Sequence, residues 1–325
     1  MATTEFTTAS AERVQLWSKK LWLEMPRQIF WGKLMKENDD NAPIEVRRDL
    51  EANPGDKLTF TLSNKLTGDG VSGDTVLEGQ EEQLPFYSDD VTVDQRRNAV
   101  RLQGQMSEKR TAFDQRTPAK SHLRTWLAEK IDDDIFTKMT TSPTTSVFGG
   151  NVASVATLTT AGVITTALMD RCVAKAHKAL PKIWPVKIGG DEHWVLVIHT
   201  DVAFDLQQDT TWNTTQRDAG VRGMENLIFQ GKHGTWRGIV LHSHEKVPVA
   251  SDGGSGGDVP YASNIFMGRQ AGLFVWGRRP SAAEKLFDYD NSIGFAIGAI
   301  WGVTKATFQA QDHASIALIT ARTNV

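Results

Sequence analysis

His242 and His244 are separated by one residue, Ser243, in a stretch whose alternation would place both imidazoles on one strand face, as a metal pair requires. A metal-dependent hydrolase built on them is the enzymatic alternative, but a third ligand is not evident. His122, His177, His193, His199, His233 and His313 are scattered without site-like spacing. Asp132, Asp133 and Asp134 fall on a predicted helix. There they fan over roughly 200° of its circumference and cannot converge on one ion, so a solvated face is expected. Glu81-Glu82 could hold a cation only with groups from elsewhere. Gly68-Asp69-Gly70-Val71-Ser72-Gly73 has the glycine spacing of a nucleotide loop, but acids surround it and no helix pattern follows, so it is read as a turn-rich loop. Gly253 to Gly257 lacks the Lys-Ser/Thr of a phosphate loop, and Asp252 to Asp258 is expected to be a mobile loop. The single Cys172 lies among apolar residues and reads as a buried structural thiol. No Gly-x-Ser-x-Gly elbow is present. The sequence therefore assigns no catalytic, cofactor-binding or metal residues and does not read as an enzyme.

The charge pattern carries more. Leu66 to Gln95 holds eight acidic side chains and no Lys or Arg, while Arg96 to Lys130 holds nine Lys/Arg against three Asp/Glu. One chain thus offers both halves of an electrostatic contact between copies. The acidic segment is also apolar, with Val71, Val76, Leu77, Leu84, Phe86 and Tyr87, which need a surface to rest on. Candidate subunit-interface residues are Asp74, Leu77, Glu78, Glu81, Glu82, Phe86 and Tyr87 on the acidic side. Arg96, Arg97, Arg101, Arg110 and Arg116 stand on the basic side, joined by Trp17 and Trp22 near the N-terminus.

Composition excludes other classes. A net charge of −3 argues against nucleic-acid binding by the whole surface, and one cysteine excludes an internal disulfide framework. No secretion signal and no run of membrane-spanning length is visible. Ten Trp suit packing and interfaces.

Several elements must position these residues. Ser10 can cap a helix carrying Val14, Trp17 and Leu21; Pro26 breaks it, and Gln28 to Met35 is expected to resume it. Lys57 to Leu62 alternates as a half-buried strand, as do Val91 to Val93 and Asn98 to Leu102, which predicts a hairpin with a connection far longer than the usual two to five or so residues. Thr117-Pro118 signals a helix start, and Leu123, Trp126, Leu127, Ile131, Ile135 and Met139 form its stripe. A second helix is expected from Ala161 to Leu180. Strands are expected at Trp194 to His199, Ile228-Phe229, Gly238 to Ser243 and Ala314 to Ala321, with undecided strand or helix material at Ile265 to Trp276 and Ser292 to Phe308. The pattern is α+β.

The block from Gly68 to Glu82, with Phe86 to Asp89, Asp94 to Arg101, Met106 to Arg110 and Trp126, resembles a motif of major capsid proteins of tailed double-stranded DNA phages, podovirus-type group. The resemblance implies the Hong Kong 97 capsid fold: an N-terminal arm at 1–48, an extended loop at 49–104, a peripheral domain with a spine helix at 105–160 joined by 285–325, and an axial domain at 161–284. It implies no cofactor. It implies a virion shell of hexamers and pentamers of this chain, with portal and possible decoration or scaffold proteins as partners, weak non-specific contact with packaged DNA, no membrane, and host cytoplasm before assembly. The remaining alternative is an accessory decoration protein.

Overall fold

The computed structural model describes residues 29–63, 65–66, 68–111, 114–219 and 234–323, with only the backbone of 216–219. The strands are, in chain order, β1 Met35–Glu37, β2 Ile44–Arg47, β3 Lys57–Ser63, β4 Phe86–Thr92, β5 Asp94–Arg101, β6 Ser146–Phe148, β7 Val186–Ile188, β8 Asp191–Ile198, β9 Thr235–Trp236, β10 Ile239–Ser243, β11 Val249–Gly253, β12 Val259–Met267, β13 Gly272–Phe287, β14 Ser292–Lys305, β15 Thr307–Phe308, β16 Gln311–Asp312 and β17 Ser315–Ala321. The helices are α1 Asp49–Ala52, α2 Gln105–Arg110, α3 Arg116–Thr140, α4 Thr166–Lys178, α5 Thr200–Gln208 and α6 Thr210–Ala219. Arg96–Glu129 and Pro280–Ala299 belong to a smaller compact unit; Ile29–Gln95, Lys130–Arg279 and Ile300–Val325 form a larger one. The elements α3, β5, β13 and β14 run through both.

In the larger unit a mixed eight-stranded sheet has the order β6-β17-β12-β8-β10-β9, with β11 beside β12 and β7 beside β8. The continuous apolar run Trp194 to Ile198 is buried along β8. Among the sheet's deeply buried polar side chains is Asn264 on β12. Its amide donates to the Leu318 carbonyl and to Thr320 Oγ1, both at 3.0 Å, and its oxygen accepts from His199 N at 3.0 Å. One side chain thus ties β12 to β17 and to the end of β8 with its hydrogen bonds satisfied.

The long helix starts two residues earlier than expected. Its cap is Asp114, not Thr117: the carboxylate accepts from Arg116 N at 3.0 Å, Thr117 N at 3.2 Å and Thr117 Oγ1 at 2.6 Å. Ile131, Ile135 and Met139 of its stripe are buried in the larger unit, and Leu123 and Leu127 in the smaller. Its end is held in the larger unit by buried Lys305, whose Nζ donates to the Thr141 carbonyl at 2.9 Å and lies 2.6 Å from buried Asp312. A cation at the carbonyl end of a helix is favourably placed.

Several expectations change. The helix expected over Gln28 to Met35 is not found in its described part, which holds one 3-10 turn, Trp31–Lys33, followed by β1. The reason is Asp132, which takes the Phe30 and Trp31 amides at 2.9 and 3.3 Å while Trp31 is buried. Asn98 to Leu102 does not join the hairpin of β3 and β4; β5 pairs with β14 instead. The glycine run 253–257 is the end of β11 and the turn into β12, where a Cβ on Gly253 would come within 2.8 Å of the Val259 carbonyl. Helices α5 and α6 and most of β13 were not expected. The Ser10 helix, Trp17, Trp22, His233 and the Ile228-Phe229 strand lie outside the described residues.

Candidate assembly surfaces

The residues with chemical potential are engaged structurally. His244 lies beyond the end of β10, its ring stacked on Phe136 at 5.1 Å, and its Nδ1 accepts from Lys246 N at 3.1 Å. His242 Nδ1 faces Lys33 Nζ at 3.3 Å, and burial pushes the Lys33 amine down. Both rings pack against Phe30, at 6.3 and 4.5 Å between centroids, but the two Nδ1 atoms take different partners. Among the described residues no group of three His, Cys, Asp or Glu is placed to hold a metal. The aspartate triplet does not converge either, but the solvated face expected of it is corrected. Asp132 is buried on the two amides, Asp133 pairs with Lys246 at 2.7 Å, and Asp134 accepts from Trp301 Nε1 at 3.2 Å. Burial is the largest influence on Asp132 and raises its carboxyl above the usual range. Cys172 is fully buried, and loss of solvation pushes its thiol up to about 12, which leaves it inert.

The acidic segment forms a finger. Strands β3 and β4 pair antiparallel, with Leu58 opposite Val91 and Leu62 opposite Tyr87, and residues 64–85 connect them. The base is anchored in the larger unit: Val91 packs with Leu273 and Val275 of β13, with Leu58, Phe60 and Val93 around it. Asp89 accepts from Thr307 N at 3.0 Å, and Asp90 from Thr59 Oγ1 at 2.6 Å. A cavity of about 410 Å³ beside this base is lined by Glu45, Asp49, Phe60 and His313 among others. The distal part is different. Glu82 accepts from Gly68 N at 2.8 Å and Glu81 from Gly79 N at 2.7 Å, which shapes the loop, while Asp74 and Glu78 are exposed. Leu66, Val71, Val76 and Leu84 are exposed, Leu77 is 58% exposed and Phe86 63%; Tyr87 is half-buried. Apolar side chains exposed in this density mark an interaction surface.

In the smaller unit the basic residues differ in how far they are engaged. Arg116 forks onto Glu108 at 3.3 and 3.1 Å, and Arg101 lies 4.4 Å above the Phe287 ring and donates to Ser292 Oγ at 3.0 Å. Arg97 lays its stem over Gly298, where a Cβ would meet its Cγ at 2.8 Å. Arg96, Arg97 and Arg110 are exposed. Two surfaces were not anticipated. The β13–β14 turn presents a fully exposed Tyr289, with Asp288, Tyr289 and Asp290 all left-handed at φ 52°, 48° and 68°. In the larger unit, Trp184 is exposed between two cations, Lys182 Nζ 4.5 Å and Arg269 Cζ 5.7 Å from its ring.

The profile of the phage capsid protein family matches residues 5–148 and 140–322. A relative, the major capsid protein of Pseudomonas phage KPP25, is 27% identical over 351 residues, covering 94% of this chain and 92% of the relative. The capsid of Ralstonia phage GP4 is 28% identical with a TM-score of 0.84, covering 99% of both chains. The capsid asymmetric unit of cyanophage Pam1 is 22% identical with a TM-score of 0.87, covering 99% of this chain and all of that one (100%). The fold is that of an α+β shell subunit of the Hong Kong 97 type. The chain belongs to the phage capsid protein family: it is a structural protein of the virion that forms the capsid shell from copies of itself, and it is not an enzyme. The hydrolase and decoration alternatives fall with that finding.

Proposed function

We propose that this chain, as the major capsid protein, closes its shell through hexamers and pentamers in which each acidic finger lies across the neighbouring subunit. Asp74, Glu78, Glu81 and Glu82 meet Arg96, Arg97, Arg101, Arg110 or Arg116 of that neighbour, with Trp17 and Trp22 adding contact from the N-terminal arm. The observation that carries this reading is the finger's exposed apolar surface, Leu77 and Phe86 foremost, in an isolated chain whose finger base is packed. Exposed ion pairs contribute only about 0–1 kcal/mol each, so charge aligns the finger and apolar burial holds it. Arg116 and Arg101 would exchange or share their present partners.

The division into arm (1–48), extended loop (49–104), peripheral domain (105–160 with 285–325) and axial domain (161–284) belongs to the same proposal. So do assembly in the host cytoplasm, weak non-specific contact with packaged DNA, and service by a portal and by decoration or scaffold proteins. Reversal of Asp74, Glu78, Glu81 and Glu82 to Lys tests the contact. Sedimentation should find folded, unassembled subunits and no shells. Normal shells in low salt, where charge repulsion is strongest, would refute it.

A further inference from the structure

The finger offers two things to a neighbour, charge and apolar area, and the basic segment answers only the first. Among the described residues of Arg96 to Lys130, Met106 is the sole large apolar side chain that is exposed. Fourteen such side chains are exposed among all described residues: six stand on the finger, and three, Leu180, Trp184 and Ile188, stand together on the segment that leads from α4 into β7. That concentration makes the second segment the place to look for the finger's apolar partner.

This patch is built rather than incidental. Trp184 is fixed through its backbone: its carbonyl accepts from Arg269 N at 3.0 Å, and a Cβ on Gly268 would come within 2.3 Å of that oxygen. Strand β7 is held on one edge by β8, and on the other the Asn41 amide bonds Lys187 N and its carbonyl at 2.8 and 2.7 Å. The edge is therefore closed to strand addition, and what remains open is the side-chain surface. There Leu180 is 85% exposed, and Lys182 and Arg269 bracket the indole. Apolar anchors ringed by cations are the complement of apolar anchors ringed by carboxylates. A Trp at the centre of such a patch is the residue type that most often dominates an interface.

We propose that the patch of Leu180, Trp184 and Ile188 with Lys182, Lys187 and Arg269 is the docking site for the distal finger of a second copy of this chain. The inference rests on the finger lying across a neighbour and adds where its apolar face goes. The finger and the patch both belong to the larger unit, yet each is exposed in the single chain, so one molecule does not satisfy itself. A DNA duplex would use the three cations but would leave Leu180 and Ile188 against a hydrated phosphate surface.

The test uses assembled shells made from equal parts of light and isotopically heavy subunits, with a photo-crosslinking amino acid replacing Leu77. Heavy-to-light crosslinks from position 77 to peptides holding 180–188 or 269 are expected. In shells that also carry Trp184→Ala they should fall by about an order of magnitude. Heavy-to-light crosslinks confined to 96–116 would overturn the docking site while sparing the finger-across-neighbour reading. Crosslinks found only within one isotope would overturn both. If Trp184→Ala leaves the crosslinks and empty-shell yield unchanged but lowers packaged DNA, the patch serves DNA and the proposal is wrong.

Discussion

Asp114 caps the start of α3 and Asp132 lies within it, and the two respond to pH with opposite sign. Asp132 is buried, and burial raises its carboxyl, so the folded state keeps a proton that the unfolded chain releases. Stability from this group falls as pH climbs from the ordinary carboxylate range through the raised value, and stays reduced above it. Asp114 is exposed and lowered, first by its bond from Thr117 and then by that from Arg116. Its contribution is present above the ordinary range and is lost as pH falls through the lowered value. Unfolding curves across the acid range should show Asp132→Asn flattening the first slope and Asp114→Asn the second. Asn264→Leu is a different case. It strips partners from His199 N, Leu318 O and Thr320 Oγ1 in a sealed sheet, and should cost about 1–3 kcal/mol for the groups left unsatisfied, read as a drop in Tm. None of these roles was legible in the sequence. An aspartate on a helix looks the same whether it faces water or caps a distant backbone, and only the fold brings Phe30 and Trp31 to Asp132.

At the scale of elements, legibility followed periodicity. The Leu123-to-Met139 stripe announced α3, observed as Arg116–Thr140, and the alternation of Lys57 to Leu62 with Val91 announced the hairpin. Strand β13 escaped because Arg278 to Leu286 is exposed on both faces and contains Pro280, so no apolar alternation marks it. Strand β14 was ambiguous for another reason. Gly294, Gly298 and Gly302 recur every fourth residue, a spacing that suits a helix face as well as a strand face. In the structure they are small so that chain can cross them: a Cβ on Gly302 would stand 2.4 Å from the Thr92 carbonyl, where the finger's second strand ends. Gly302→Val should therefore destabilise by about 1–3 kcal/mol through overpacking, measured by chemical denaturation, and should loosen the finger's anchorage as read by proteolysis near Thr92. Gly70→Ala, with its open surroundings but left-handed φ of 68°, should have a smaller effect.

For the molecule as a whole, composition was the most readable layer. A strip of acids interleaved with large apolar residues, followed by a basic stretch, points to contact between copies. The Trp184 patch was not readable. Buried Ile183 and Val186 alternate with exposed Leu180, Trp184 and Ile188 in one short run, and apolar residues look alike in sequence whichever way they face. Many moderate contacts joined in a closed symmetric shell need no single strong one. Two consequences separate charge from burial. Molar salt should slow shell formation by screening the finger's acids without dissolving shells already closed, whereas Leu77→Asp or Phe86→Asp should impair closure in any salt, as light scattering would show. Contact between copies depends on where the finger lies, and a side-chain-resolution reconstruction of the assembled shell measures that directly. It should show residues 64–85 of each subunit crossing onto another copy, with Leu77 and Phe86 covered there. Fingers folded onto their own subunit, or projecting bare into solvent, would contradict it.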